Sequence, residues 1–387
     1  MNILFINDPA CVHGFKWISY FSNQTDKYKC YLIGQNHQDK RLDEQVKKKL
    51  QDNHIVYLPP VFEFSVTRTW RTLKDFQYIK RVIEQNNIDL IHIMYAEPSA
   101  MWGLGKDYFK KPMVLTTRGT DVLVTIPSIT QKKHPFNRLL KSLFSRAFGN
   151  MDFITSTSTR QEQAVKDILS GAKVSTGVFR TGIDLEKVRA DTSQHMVDEL
   201  KGQPYIFFPR YMNTLYNHDF SLDAIQLLPA SVKEKYKMVF IDGNGRAVGY
   251  IQGIRERMAA IKDVQFVFLD ELQQPTLFEL YKHASLVVMN PLSDGSPVSA
   301  LEAMSVETPV VLGPLAYDKD LFEGTTFQIS NWDAKEMALL ITDILENKPT
   351  EVLQAFKALA KKTVEEKANT LKEIKKLENV YHNILKR

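Results

Sequence analysis

Leu286-Val-Val-Met-Asn-Pro-Leu-Ser-Asp-Gly-Ser-Pro-Val-Ser-Ala-Leu-Glu-Ala-Met-Ser-Val-Glu-Thr-Pro-Val-Val-Leu312 is the stretch whose reading decides the fold. Its two apolar runs, 286–289 and 309–312, are too short for helices and show no polar alternation, so they predict strands covered on both faces. Between them Gly295 permits a tight turn, Ser296 is the expected N-cap and Pro297 fits the first position of a helix. A strand, a helix and a second parallel strand form one βαβ unit.

The same alternation extends in both directions. Apolar runs at 3–6, 30–33, 90–93, 113–116 and 153–154 are strand candidates, with amphipathic stretches such as 73–85 between them. A polar, periodicity-poor stretch at 185–203 follows, and then a second series at 205–208, 238–241, 264–269, 286–289 and 309–312. The expected class is α/β with two Rossmann-like, doubly wound sheets, and the length of 387 residues suits two domains. The expected bounds are 1–184 and 203–365, with 185–203 as linker. A helix over 366–387, the end of a Lys- and Glu-rich helical tail, is expected to pack back on the first domain. Doubly wound sheets bind ligands beyond the carboxyl ends of their strands, so two facing halves predict an inter-domain cleft.

A hydrophobic fraction of 44% and a charged fraction of 25% exclude disordered and fibrous classes. Two cysteines, Cys11 and Cys30, without a Cys/His cluster argue against a disulfide scaffold or a zinc site and for a reducing cytoplasm. The first residues lack a basic segment followed by a long apolar one, and no run approaches the roughly 20 residues of a membrane span. The expectation is a cytoplasmic chain. A net charge of +5 is too small to point to nucleic acid, and no nucleic-acid motif is present. The charge is uneven, however. Residues 122–151 hold Lys132, Lys133, Arg138, Lys141 and Arg146 with no acidic residue, interleaved with Leu139, Leu140, Leu143, Phe144 and Phe148. That pattern predicts a basic amphipathic helix over 132–148, suited to an anionic membrane surface, or an ordinary surface helix.

The free N–H groups of the helix expected after Gly295 are a candidate diphosphate site. Asp294 stands before that helix and Glu302 between one and two turns inside it. Carboxylates are good acceptors for the vicinal hydroxyls of sugars and are repelled by phosphates, so each is expected on a sugar ring. The plainer alternative makes Asp294 a turn residue and Glu302 a solvated helix position. Arg210, after the strand 205–208, could stabilise negative charge on a departing phosphate, or make a surface salt bridge.

Here the sequence resembles the retaining glycosyltransferase family 4 of the GT-B fold. The resemblance rests on Asp294-Gly-Ser-Pro-Val-Ser-Ala-Leu-Glu302-Ala-Met, with its acidic pair eight residues apart. Further landmarks follow in order: Asp89-Leu-Ile-His-Ile-Met94, Thr116-Thr-Arg-Gly-Thr-Asp-Val122, Thr181-Gly-Ile-Asp-Leu-Glu-Lys187, Phe208-Pro-Arg210 and Ile241-Asp-Gly-Asn-Gly245. By that resemblance Glu302 binds the nucleotide ribose, Asp294 the hydroxyls of the donor sugar, and the backbone of Gly295, Ser296, Pro297, Val298 and Ser299 the sugar and diphosphate. Arg210 would carry the charge of the leaving group. The family's usual lysine shortly after that arginine is missing, and Asn217 or His218 is expected in its place. Arg118 stands where the family often has histidine, with Asp121 orienting the acceptor or Arg118, or else capping the next helix. Gly14, beside His13 in the first loop, and Gly243 are further donor-phosphate candidates. His92 and Tyr95 end a strand nearby, and a lone histidine on an apolar strand reads more readily as a core residue.

The implied reaction moves a hexose-type sugar from a nucleotide-diphosphate-sugar donor to a hydroxyl of a glycan, or of a lipid-linked glycan, with retention. The implied setting is bacterial surface polysaccharide synthesis. No cofactor and no metal is expected, and Asp318-Lys-Asp320 reads as a solvated loop. The alternatives are a nucleotide-sugar-binding subunit without activity, which the missing lysine would suit, a nucleotide-sugar 2-epimerase, and a nucleic-acid-binding protein that uses the basic helix.

Overall fold

The structure, a computed structural model, describes residues 1–35, 42–130, 134–242, 247–294 and 296–386. It divides into two compact units, Met1–Thr181 with Lys372–Arg387, and Gly182–Leu371. Among the described residues of the first unit, β1 (Asn2–Ile6), β2 (Lys29–Gln35), β3 (Ile55–Val61), β4 (Leu90–Ile93), β5 (Met113–Thr116), β6 (Phe153–Ser156) and β7 (Ser175–Val178) pair in parallel, in the order β3-β2-β1-β4-β5-β6-β7. In the second unit β8 (Tyr205–Phe208), β9 (Lys237–Ile241), β10 (Phe266–Leu269), β11 (Leu286–Met289), β12 (Val310–Leu312) and β13 (Phe327–Gln328) do the same, in the order β10-β9-β8-β11-β12-β13. Both are doubly wound Rossmann-like sheets. Each order reverses once, between β1 and β4 and between β8 and β11, and loops leaving such a switch point diverge around a crevice at the carboxyl ends of the strands.

The continuous apolar runs follow from burial on both faces. Leu4 and Ile6 point into a core with Ile79, Trp102, Phe109 and Phe148, while Ile3 and Phe5 point to the opposite face with Trp17 and Phe21. In the second unit Tyr205 and Phe207 serve one core, and Ile206 and Phe208 the other. Successive side chains alternate across a strand, so a strand covered on both sides shows no polar position.

The helical tail consists of two helices, Thr350–Lys367 and Thr370–Leu385. The first stays with the second unit through Ala360 and Val364. The second joins the first unit, where Ile374, Leu377, Tyr381 and Ile384 pack beside Ile3 and Phe5. The Tyr381 hydroxyl meets Nδ1 of His92, whose Nε2 meets Thr116 Oγ1 at 2.7 Å. Complete burial, then the Arg118 charge, pushes His92 down to about 3. His92 is therefore a neutral core residue that joins this helix to the sheet.

Residues 185–203, expected as a linker, belong to the body of the second unit. Asp184 caps a helix over Leu185–Arg189, and Val188 and Leu200 are buried in the core. Few apolar residues mark this stretch, yet two anchors suffice to fix it. The chain instead passes between units at Gly182, which has φ +61. Within the second unit the Ile183 N–H donates to the Ala368 carbonyl at 2.8 Å and the Thr370 N–H to the Ile183 carbonyl at 3.0 Å. A Cβ on Gly182 would lie 2.5 Å from the Ala368 oxygen. Gly182→Ala is expected to cost about 1–3 kcal/mol, through the left-handed backbone and this backbone clash. Thermal unfolding of the full chain checks it, and an unchanged Tm would refute it.

Asp318, also expected in a solvated loop, is buried and caps the short helix Lys319–Phe322. Two anchors, Leu321 and Phe322, draw it inward. Among the described residues, no helix is long and apolar enough to cross a membrane.

Candidate functional site

In the second unit the loops after β8, β11 and β12 gather beside the switch point. The Leu292 N–H donates to the Leu215 carbonyl at 2.8 Å, and Asn290 Nδ2 donates to Ser221 Oγ at 3.0 Å, so the loops after β8 and β11 are tied to each other. Arg210 stands two residues after β8. Its Nη2 lies 3.6 Å from Asp294 Oδ2, its Nη1 donates to Ser299 Oγ at 3.3 Å, and its guanidinium stacks on the Tyr216 ring, 4.2 Å from the centroid. Both members of the ion pair are mostly shielded from solvent, which holds the arginine fork in one orientation.

The helix begins later than the sequence suggests. It spans Val298–Ser305 with Pro297 at the cap position, and no side chain caps it. Ser296 points its N–H at Asp294 Oδ1, 3.3 Å away, while its own hydroxyl is buried without a protein partner among the described residues. Pro297 cannot donate, so the backbone turns through the residue before it and the cap falls one place on. The first N–H groups of the helix lack intrahelical partners and carry the positive end of its dipole. Gly295 and Gly243 lie outside the described residues.

Glu302 sits on the second turn, next to the buried hydroxyl of Tyr281. Burial first, then the Glu302 charge, raises that phenol well above its usual range, and Ser299 also neighbours it. Tyr317, in the loop after β12, is likewise raised by burial and by the Asp294 charge, with Arg210 opposing. The Tyr281 hydroxyl faces Ser299 and Glu302, and the Tyr317 hydroxyl has no hydrogen-bond partner among the described residues. Sequence reasoning missed both tyrosines. One lies in the helix before β11 and the other in an irregular loop, and only the adjacency of β8, β11 and β12 brings them to Arg210 and Asp294. Arranged together are a cation, a helix N-terminus, two carboxylates and two neutral phenols. Such a set can hold a diphosphate beside polyhydroxylated rings.

Asn217 and His218 do not supply the missing cation. Asn217 adopts the left-handed conformation, with φ 51, at the entrance of the helix His218–Gln226. His218 is buried, and its Nε2–H donates to the Tyr211 carbonyl at 3.1 Å. A carbonyl can only accept, so Nδ1 is the unprotonated nitrogen. Burial dominates and lowers His218 from its ordinary value, outweighing the bonds to the Tyr211 and Arg210 carbonyls. It is a neutral residue that packs against Phe240.

In the first unit the expected Arg118 and Asp121 follow β5. The Asp121 carboxylate is fully buried and accepts from four backbone amides: Oδ1 from Arg118, Gly119 and Val122 at 3.0, 2.8 and 2.9 Å, and Oδ2 from Ala96 at 2.9 Å. This corrects the expectation of direct contact with acceptor, because the carboxylate's acceptor positions are occupied by the chain itself. Arg118 has a buried guanidinium 5.5 Å from the Trp17 ring. Gly14 is buried against Asn7, whose Nδ2 would be 2.2 Å from a Cβ there, and its N–H donates to Cys11 Sγ at 3.4 Å. The Gly14 amide thus has a partner within its own loop.

The basic segment forms a helix over Pro135–Gly149. Phe144, Ala147 and Phe148 enter the core, while Arg138, Lys141 and Arg146 are exposed, as are Phe136 and Leu139. Lys132 and Lys133 lie outside the described residues.

Comparison with known proteins follows the division into units. The model of glycosyl transferases group 1 matches residues 191–363, and that of glycosyl transferase 4-like proteins matches residues 2–158. A search of curated protein sequences gives no match. Among solved structures, a glycosyltransferase from Rickettsia africae is similar with TM-score 0.76 and 14% identity, covering 100% of this chain and 99% of that one. Anabaena HepE in complex with UDP gives TM-score 0.73 and 14% identity, with coverage of 99% and 100%. Sucrose-phosphate synthase from Thermosynechococcus elongatus gives 0.66 and 15%, with 99% of each chain covered. The matched models, one for each half, and these folds agree with the doubly wound pair: the chain belongs to the group 1 glycosyltransferases, with the GT-B fold.

Proposed function

We propose that the chain is a retaining glycosyltransferase of family 4 that takes a sugar from a nucleotide-diphosphate-sugar donor and places it on a hydroxyl of a glycan acceptor. The observation that carries this reading is the convergence of Arg210, Asp294 and Ser299 at the N-terminus of the helix that bears Glu302. The diphosphate would lie against that helix N-terminus and Arg210, the donor sugar against Asp294, and the ribose against Glu302. Arg210 and the helix dipole would carry charge developing on the leaving diphosphate, with no metal required. The diphosphate would take the proton of the acceptor hydroxyl on the same face of the sugar. HepE has been seen with UDP and with UDP-glucose, which favours a uridine donor here.

The exposed Arg138, Lys141 and Arg146 beside Phe136 and Leu139 suit a peripheral contact with an anionic membrane. That surface supports reading the acceptor as a lipid-linked glycan met at the cytoplasmic face of the membrane, and the family resemblance supports bacterial surface polysaccharide synthesis as the setting.

The test is a thermal-shift panel of UDP, GDP, ADP and CMP with their sugar conjugates on wild type and on Glu302→Ala. One nucleoside diphosphate family is expected to raise Tm, and the substitution to weaken its binding about 10- to 150-fold, the worth of hydrogen bonds to one charged group. No shift with any nucleotide at millimolar concentration would reject both the transferase and a nucleotide-binding subunit. Binding without turnover in the presence of lipid-linked acceptors would favour the subunit.

A further inference from the structure

A second cluster of polar groups, confined to the first unit, is not used by the donor-side chemistry. Arg118 leaves β5 at the carboxyl end of the sheet, and its guanidinium is out of contact with solvent. Nε, Nη1 and Nη2 all lack a hydrogen-bond partner among the described residues. Its neighbours locate it. It lies 5.5 Å from the ring of Trp17, and it exchanges charge interactions with Cys11, His13 and Asp121. Cys11 is the N-cap of the helix Val12–Ser22, and His13 lies in its first turn, so the guanidinium lies beside that helix N-terminus. The first turn contains no acidic side chain.

Arginine presents five N–H donors in a rigid fork, and leaving them buried and unbonded is costly. The nearest carboxylate does not relieve that cost by hydrogen bonding, because Asp121 is already engaged by four backbone amides. A guanidinium fork beside the positive end of an eleven-residue helix whose first turn carries no acid describes a receptor for an oxyanion. The neighbouring loop 8–13 reaches the surface: Asp8, Ala10 and Cys11 are partly exposed and His13 is exposed.

We propose that Arg118 and the N-terminus of the helix Val12–Ser22 form an oxyanion site that selects an acceptor carrying a phosphate or a carboxylate. Assigning the anion to the acceptor rests on the transferase reading, in which the donor's phosphates are held by Arg210 and the helix Val298–Ser305 of the other unit. Neutral sugars would leave the fork unbonded and bind poorly. Arg118 is then a determinant of acceptor specificity.

The test uses the full chain, titrated with inorganic phosphate, glucuronate, glucose and UDP and followed by thermal shift and calorimetry. Wild type, Glu302→Ala, Arg118→Gln and Arg118→Lys are compared. Phosphate and glucuronate are expected to stabilise wild type and Glu302→Ala alike, and glucose neither. Arg118→Gln is expected to weaken both anions at least tenfold, to leave UDP binding unchanged, and to have a ligand-free Tm no lower than wild type, since a buried charge is removed. Should Arg118→Gln fail to fold, Arg118→Lys carries the test: it keeps the charge without the fork, and an anion affinity several-fold below wild type supports the site. Equal anion binding by wild type and Arg118→Gln, or none by wild type, overturns the proposal. A UDP affinity that falls in step with phosphate would overturn the assignment to the acceptor and give the anion to the donor. Loss of the Glu302-dependent nucleotide shift with the Arg118-dependent anion shift intact would refute the transferase reading while leaving the oxyanion site standing.

Discussion

Arg210→Ala is expected to lower kcat about 10²- to 10³-fold, the usual effect of removing one preorganised group that stabilises transition-state charge. Stability should fall modestly, by about 1–2 kcal/mol, because the pair with Asp294 is mostly shielded from solvent and so lies between exposed and fully buried pairs. The measurement is release of nucleoside diphosphate from the donor that the thermal-shift panel identifies. A fall in kcat with KM for the donor nearly unchanged would place the arginine on developing charge, whereas a rise in KM alone would make it a ground-state ligand. Arg210 also holds Asp294 and Ser299 in place, so the single substitution conflates lost charge with a displaced carboxylate. Comparing Arg210→Ala, Asp294→Asn and the double variant separates them: strong non-additivity indicates that the two act as a unit. Normal turnover by Arg210→Ala would sink the assignment. His218, the stand-in suggested by its place in the chain, does not soften this prediction, because burial keeps it neutral.

What was legible in the sequence follows the physics of each element. Central strands such as β1, β4, β8 and β11 are buried on both faces and so read as unbroken apolar runs. The edges did not announce themselves. Strand β3 carries Pro59 and Pro60, which an outer strand tolerates because one side needs no ladder donors, and β13 has only two residues. Strand β7, Ser175–Val178, has a single large apolar residue. Tertiary position, not local composition, makes these strands.

The site divides in the same way. Asp294, Ser299 and Glu302 lie within nine residues of one another on a strand–turn–helix, and the spacing of that motif is local information. Tyr281 and Tyr317 reach the same place through sheet order, which no spacing encodes. Burial is the other hidden variable. Sequence position gave Asp121, His218 and Asp318 polar surroundings, and each is instead buried and engaged with the backbone. A buried polar residue must find partners, and the backbone supplies the nearest ones.

Asp121 shows how these two kinds of role can be told apart. Asp121→Ala removes the acceptor of four buried N–H groups and joins nothing in exchange, which at about 1–3 kcal/mol per unsatisfied group, partly relieved by rearrangement, predicts a loss of about 3–5 kcal/mol. Asp121→Asn keeps the shape but has one acceptor oxygen. Turned to serve Arg118, Gly119 and Val122, it would set its NH₂ against the Ala96 N–H, so the link between the loops after β4 and β5 should break first. Two units make a single unfolding free energy ill-defined, and hydrogen exchange at the amides of Ala96, Gly119 and Val122 is the sharper probe. Faster exchange confined to Ala96 in the asparagine variant, and at all three positions in the alanine variant, is the expected pattern. Turnover should fall only as far as Arg118 is displaced, so anion binding at Arg118 and activity should decline together. A variant that exchanges like wild type and yet loses turnover would instead require the Asp121 carboxylate to meet a substrate directly, against the four backbone bonds that occupy it.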